Sequence, residues 1–90
     1  MARRVGRCLE RYPKLADAFI EGRLRSWHLA AIDTIIPARY RGDDLTAAIQ
    51  VLSDIQGELI SVACEGHTER AYRRFCARIR DRLDPDGTPP

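Results

Sequence analysis

The sequence predicts an all-α fold, a compact bundle of four to five helices, and three observations carry that reading. Apolar residues recur at helical spacing along almost the whole chain. No stretch alternates apolar and polar residues between hairpin turns, as a half-buried strand would. Pro13, Gly22, Pro37 and Gly66 fall between the apolar runs, where helices start and stop.

The elements follow in order. Val5, Cys8, Leu9 and Tyr12 form a first helical stripe. Pro13 interrupts it or opens a new helix as its first residue, where the missing N–H costs nothing. Leu15, Ala16 and Phe19 continue one face, and Gly22 is a good C-terminal stop. Ser26 is placed to cap the next helix. That helix carries the stripe His28, Leu29, Ile32, Ile35 and Ile36, and Pro37 ends it. After the polar "ARYRGDD", Asp43 or Asp44 is expected to cap one long helix over residues 44–63. Its stripe is Leu45, Ala48, Ile49, Leu52, Leu59 and Ala63, with Gln56 among them. Gly57 falls on the opposite side and weakens the helix by about 1 kcal/mol without having to break it. "EGH" reads as a turn, and Thr68 caps a last helix over 69–83. There Tyr72, Phe75, Cys76, Ile79 and Leu83 share one face. Residues 1–84 are expected to form a single helical domain and 85–90 a flexible tail.

Ninety residues make one domain at most. A domain of that size buries only about 60–65% of its unfolded surface, so its stability margin is thin. No apolar run approaches the roughly 20 residues of a membrane span. The opening "MARRVGRCLERYP" has no apolar core and does not read as a secretory signal, so a cytoplasmic location is expected. Three cysteines at wide spacing argue against a disulfide framework.

Charge is segregated. Residues 1–41 carry a net +5, residues 42–69 hold six acids and no Lys or Arg, and residues 70–90 carry a net +3. Fourteen of the fifteen basic residues are arginine. That bias fits either a codon preference or phosphate binding, for which the planar guanidinium is suited.

Chemistry-bearing patterns are few. Cys64 and His67 lie three apart, but zinc needs four converging ligands and only this one imperfect pair is present. Cys8 and Cys76 fall on apolar faces, where cysteine behaves as a small hydrophobe. No nucleophile–base pairing, phosphate loop, metal site or cofactor motif stands out. No catalytic residue is expected.

Two basic features remain. "AFIEGRLRSWHLAAI" has the outline of a helix-turn-helix. In a DNA-binding version, Ser26, Trp27 and His28 would enter the major groove, with Arg23 and Arg25 near phosphates. In a plain helical hairpin, His28 would pack in the turn. On the last helix, Arg70, Arg74 and Arg78 are four residues apart and line the face opposite Tyr72, Phe75 and Ile79, with Arg73 beside them. They form a phosphate-contacting ridge, a solvated face, or a set of partners for the acidic 43–65 helix.

"LDPDG", at Leu83 to Gly87, follows this arginine-rich helix, and "EGRLRSWH" lies upstream. In that order the motifs resemble the 13E12 repeat family, a bacterial domain of unknown function commonly found before an HNH endonuclease domain. The likeness runs from about Val5 to Gly87 and includes Gly22, Leu24 and His28. Arg25 departs from the small polar residue usual at that position. His28 and His67 cannot assemble a His-Asn-His metal site, so the resemblance implies the company of a nuclease rather than nuclease activity in these residues. The expected role is an accessory module that binds double-stranded DNA through Arg23, Arg25, Ser26, His28, Arg70, Arg73, Arg74 and Arg78. The alternative is an interaction or oligomerisation bundle that contacts an HNH domain or a second copy.

Overall fold

A computed structural model describes residues 2–83, with side chains from residue 6 onward. It contains α1 (Ala2–Arg11), α2 (Pro13–Ile20), α3 (Ser26–Asp33), α4 (Gly42–Asp54), α5 (Gln56–Cys64) and α6 (Glu69–Leu83). No strand occurs among the described residues. The all-α bundle is as expected, with six helices among the described residues rather than four or five. The expected tail and the last four residues of "LDPDG" lie outside the described residues.

α3 is the centre of the bundle. α1 and α6 both pack on it, and α2 packs on α1 and α5. His28, Leu29, Ala31 and Ile32 are all buried within its eight residues. Around it lie Cys8 and Tyr12 from the α1 end, Leu15 from α2, Leu59 from α5, and Tyr72 and Cys76 from α6. Burying each such large apolar side chain contributes about 1.5–3 kcal/mol. Two side-chain bonds tie neighbours together. The Cys8 thiol donates to the Leu29 carbonyl at 3.2 Å, and the Tyr72 hydroxyl donates to the Leu59 carbonyl at 3.0 Å.

Local punctuation largely sets the ends. Pro13 opens α2. Gly22 closes it with φ +81°. Arg23 N–H donates to the Ala18 carbonyl at 2.9 Å and Gly22 N–H to that of Phe19 at 3.1 Å, the paired bonds of a Schellman cap. Thr68 Oγ1 accepts from Ala71 N–H at 3.2 Å and so caps α6.

Four expectations are corrected. Ser26 is the first helical residue of α3 and not its cap. Arg25 holds the cap position and has no acceptor on its side chain. Its backbone N–H instead donates to His28 Nδ1 at 2.9 Å, the return half of a capping box. α3 also stops at Asp33, before Pro37, because Thr34 Oγ1 takes the Ala31 carbonyl at 2.6 Å and tight i→i−3 bonds follow. Asp43 and Asp44 lie in the first turn of α4 rather than ahead of it, where their charge still suits the helix dipole.

The fourth correction concerns the 44–63 helix, which breaks at Ile55 (φ −107°, ψ 17°). Gly57 is not the cause, since it continues as helix inside α5. Gln56 is buried, and its Nε2 donates to the Ser53 carbonyl at 3.0 Å. That carbonyl is the acceptor Gly57 N–H would use in a continuous helix. Gln56 Oε1 meanwhile accepts from Lys14 N–H at 2.8 Å and Leu15 N–H at 3.2 Å. The first turn of α2 is thus capped by a side chain about 40 residues away.

Candidate nucleic-acid interface

α6 turns its apolar side to the core and its arginines to solvent. Tyr72 and Cys76 are buried, and Phe75, Ile79 and Leu83 are half-buried against the core. Arg70, Arg74 and Arg78 are exposed on the opposite face. Their i, i+4 spacing stacks them in one row that spans about 12 Å at 1.5 Å per residue.

The charge environment separates these arginines from their neighbours. Arg73 Nε donates to Glu69 Oε2 at 3.0 Å across one helical turn. Arg23 forms an exposed pair with Glu21. Arg70, Arg74 and Arg78 have no carboxylate within 4 Å among the described residues. Asp81 shares the α6 surface without pairing with them. The acidic α4–α5 segment does not neutralise the row, because α6 makes its main contact with α3. Glu69, Arg70, Arg73, Arg74 and Ala77 border one shallow hollow, where the small Ala77 side chain leaves room between longer ones.

The α2–α3 turn is a different kind of site. Arg25 and Ser26 are exposed at the start of α3, and the buried Leu24 anchors the turn. Arg23 is exposed but paired. His28 is not free to meet a base edge. It is buried, stacked on Trp27 with ring centroids 3.8 Å apart, and set edge-on against Tyr72 at 4.8 Å. Burial, and then the Arg25 charge, push its pKa down. The neutral ring suits Nδ1 as the acceptor of the Arg25 N–H. The helical-hairpin placement of His28 therefore holds, and the expectation that its ring contacts nucleic acid is corrected. α3 has helices on both sides, so its side chains beyond the first turn are not available to a groove either.

Tyr72 brings the two features together. It touches Trp27 at 6.0 Å and His28, so the start of α3 lies beside the first turns of α6. Arg25 and the α6 row consequently come from packed elements.

The cysteines lie apart from this surface. Cys8 and Cys76 are buried, and desolvation pushes both thiols up to about 12. Cys64 is exposed, while His67 Nε2 lies 2.8 Å from Glu65 Oε1. Among the described residues, no group of three or more His, Cys, Asp or Glu is placed to hold a metal ion. No helix among them is long and apolar enough to cross a membrane.

Two features escaped the sequence reading. Arg7 and Arg11 on α1 share a cleft with Arg41, and only the i, i+4 spacing of the first two was visible in advance. A groove of about 500 Å³ runs between α4 and the end of α6, floored by Val51, Ile55, Ile79 and Leu83. Comparison with protein-family models, curated proteins and solved structures finds no match to this chain.

Proposed function

We propose that this chain is an accessory DNA-associated module that lays the outer face of α6 along a duplex phosphate backbone. The observation that carries the reading is the row of three exposed arginines without a carboxylate partner among the described residues. Phosphates recur regularly along each strand of duplex DNA, so a row of this length can meet more than one of them on the same backbone. Guanidinium forks suit phosphate oxygens. Arg25, exposed beside the start of α6, adds a fourth cation, and Arg73 joins if it exchanges Glu69 for phosphate. The resemblance to 13E12 repeats supports the same reading, since it implies a nuclease neighbour that works on DNA.

The test is duplex affinity against salt for the native chain and for Arg70→Gln/Arg74→Gln/Arg78→Gln. Each neutralised phosphate contributes about −0.9 to the slope of log affinity against log salt, so the triple variant's slope should be shallower by about 2–3. Gln has nearly the helix propensity of Arg, and exposed positions tolerate the exchange, so the fold should persist. Absent duplex binding, or an unchanged slope, defeats the reading.

The apolar groove favours a second reading, an interaction or oligomerisation bundle. Val51 on its floor is 44% exposed. Concentration-dependent sedimentation without duplex binding would select that reading instead.

A further inference from the structure

α1, the end of α3 and the α3–α4 loop enclose a small cleft of about 100 Å³. Arg7 and Arg11 line it from one face of α1. Arg41 lines it from the loop, where its Nη1 donates to the Ala38 carbonyl at 2.8 Å and the Tyr40 carbonyl at 3.0 Å. Those bonds position the guanidinium and leave Nε and Nη2 as further donors. Asp33 is the one carboxylate in the lining among the described residues. Its side chain is only 9% exposed, and Arg7 Nε lies 3.7 Å from its Oδ1. Three cations and one anion thus converge on one small space.

Among the described residues, a net charge of about two remains uncompensated by the lining. Converging like charges repel unless a counter-charge joins them. A phosphate monoester carries about −1.5 to −2 at neutral pH, with three acceptor oxygens. The cleft is far smaller than the roughly 300–1,000 Å³ of pockets that take drug-sized ligands. Its size suits one tetrahedral anion rather than a base or sugar. A backbone diester brings only one charge per phosphate, so a terminal or free phosphate matches better.

We propose that this cleft binds a single phosphate dianion, with Arg7, Arg11 and Arg41 as its ligands and Asp33 as the group that positions Arg7. The phosphate is either the free ion or a monoester at a nucleic-acid end. The site uses none of the α6 arginines and does not depend on the DNA reading.

The experiment is a ¹⁵N–¹H NMR titration of the full chain at constant ionic strength, with sodium phosphate replacing sodium chloride. Parallel arms use one short oligonucleotide with a 5′-phosphate and with a 5′-hydroxyl. Expected are saturable shifts at the amides of Arg7, Arg11 and Arg41. The variant Arg11→Gln/Arg41→Gln should bind phosphate at least about tenfold more weakly, since it loses charge-assisted bonds. If that variant does not fold, Arg41→Gln alone, changed at an exposed loop position, provides the comparison. Shifts with the 5′-phosphate but not the 5′-hydroxyl oligonucleotide identify a nucleic-acid end as a source. Shifts with inorganic phosphate alone identify the free ion. Shifts that stay linear in phosphate, or that persist unchanged in the Gln variants, overturn the site. The α6 triple variant should keep the phosphate response, and its loss there would also overturn the site. Failure of duplex binding is thereby distinguishable from failure of this cleft.

Discussion

Replacing Gln56 by Met should destabilise the protein well beyond what a change of one amide would cost on a surface. Met conserves the unbranched shape, so packing is largely retained and the lost hydrogen bonds dominate. Gln56 Oε1 accepts from Lys14 N–H and Leu15 N–H, and its Nε2 donates to the Ser53 carbonyl. Leu15 is fully buried, so its N–H has no water to turn to and costs about 1–3 kcal/mol when orphaned. Lys14 is exposed, and loss of its bond costs about 0.5–1.5 kcal/mol. The sum is about 1.5–4.5 kcal/mol. A chain of this length has about 5–13 kcal/mol in total. The melting temperature should fall by on the order of 6–36 °C. Urea denaturation of Gln56→Met and Gln56→Glu against the native chain measures this. Glu keeps the two acceptor oxygens but buries a carboxyl and sets an oxygen against the Ser53 carbonyl, so it should be destabilised as well, more so where the carboxyl is ionised. A loss below about 0.5 kcal/mol in Gln56→Met, with unchanged denaturant dependence, would refute the capping argument.

Further predictions concern other buried groups and one turn. Because the folded-state pKa of His28 lies below its ordinary value of 6.5, the unfolded chain takes up a proton first as pH falls. Stability should therefore be fully present above pH 6.5 and decline below it until the folded ring also protonates. His28→Gln, which keeps an acceptor for the Arg25 N–H, should flatten that decline in denaturation series at pH 5–7. With a thiol reagent at pH 8, only Cys64 should react quickly, because Cys8 and Cys76 are buried with thiols pushed up to about 12. Two fast thiols in the native protein would contradict the core packing. Gly22→Ala should cost about 1–2 kcal/mol in thermal melts, since φ +81° is a conformation that side chains resist. A neutral result would mean the turn differs.

Local signals carried much of this structure, and long-range contacts carried the rest. The boundaries at Pro13, Gly22 and Thr68, and the full extent of α6, are written in short windows. There one residue's φ preference, missing N–H or capping oxygen decides the outcome. The arginine row was equally legible, because i, i+4 spacing on an amphipathic helix needs no partner to define it. The break at Ile55 was not legible. At the break, the Gln56 amide takes the Ser53 carbonyl and is held by two α2 N–H groups 41 and 42 residues away. The same holds for His28, which reads as a polar residue at a helix start until Trp27 and Tyr72 enclose it. Arg41 joins Arg7 and Arg11 only through the path of the α3–α4 loop. Helical period and capping are properties of neighbours in sequence, so the sequence alone determined the fold class, the helix ends at Pro13, Gly22 and Thr68, and the basic face of α6. Which polar groups are withdrawn from water, and which cations share a cleft, depends on how helices pack across the chain, and the tertiary structure decided these.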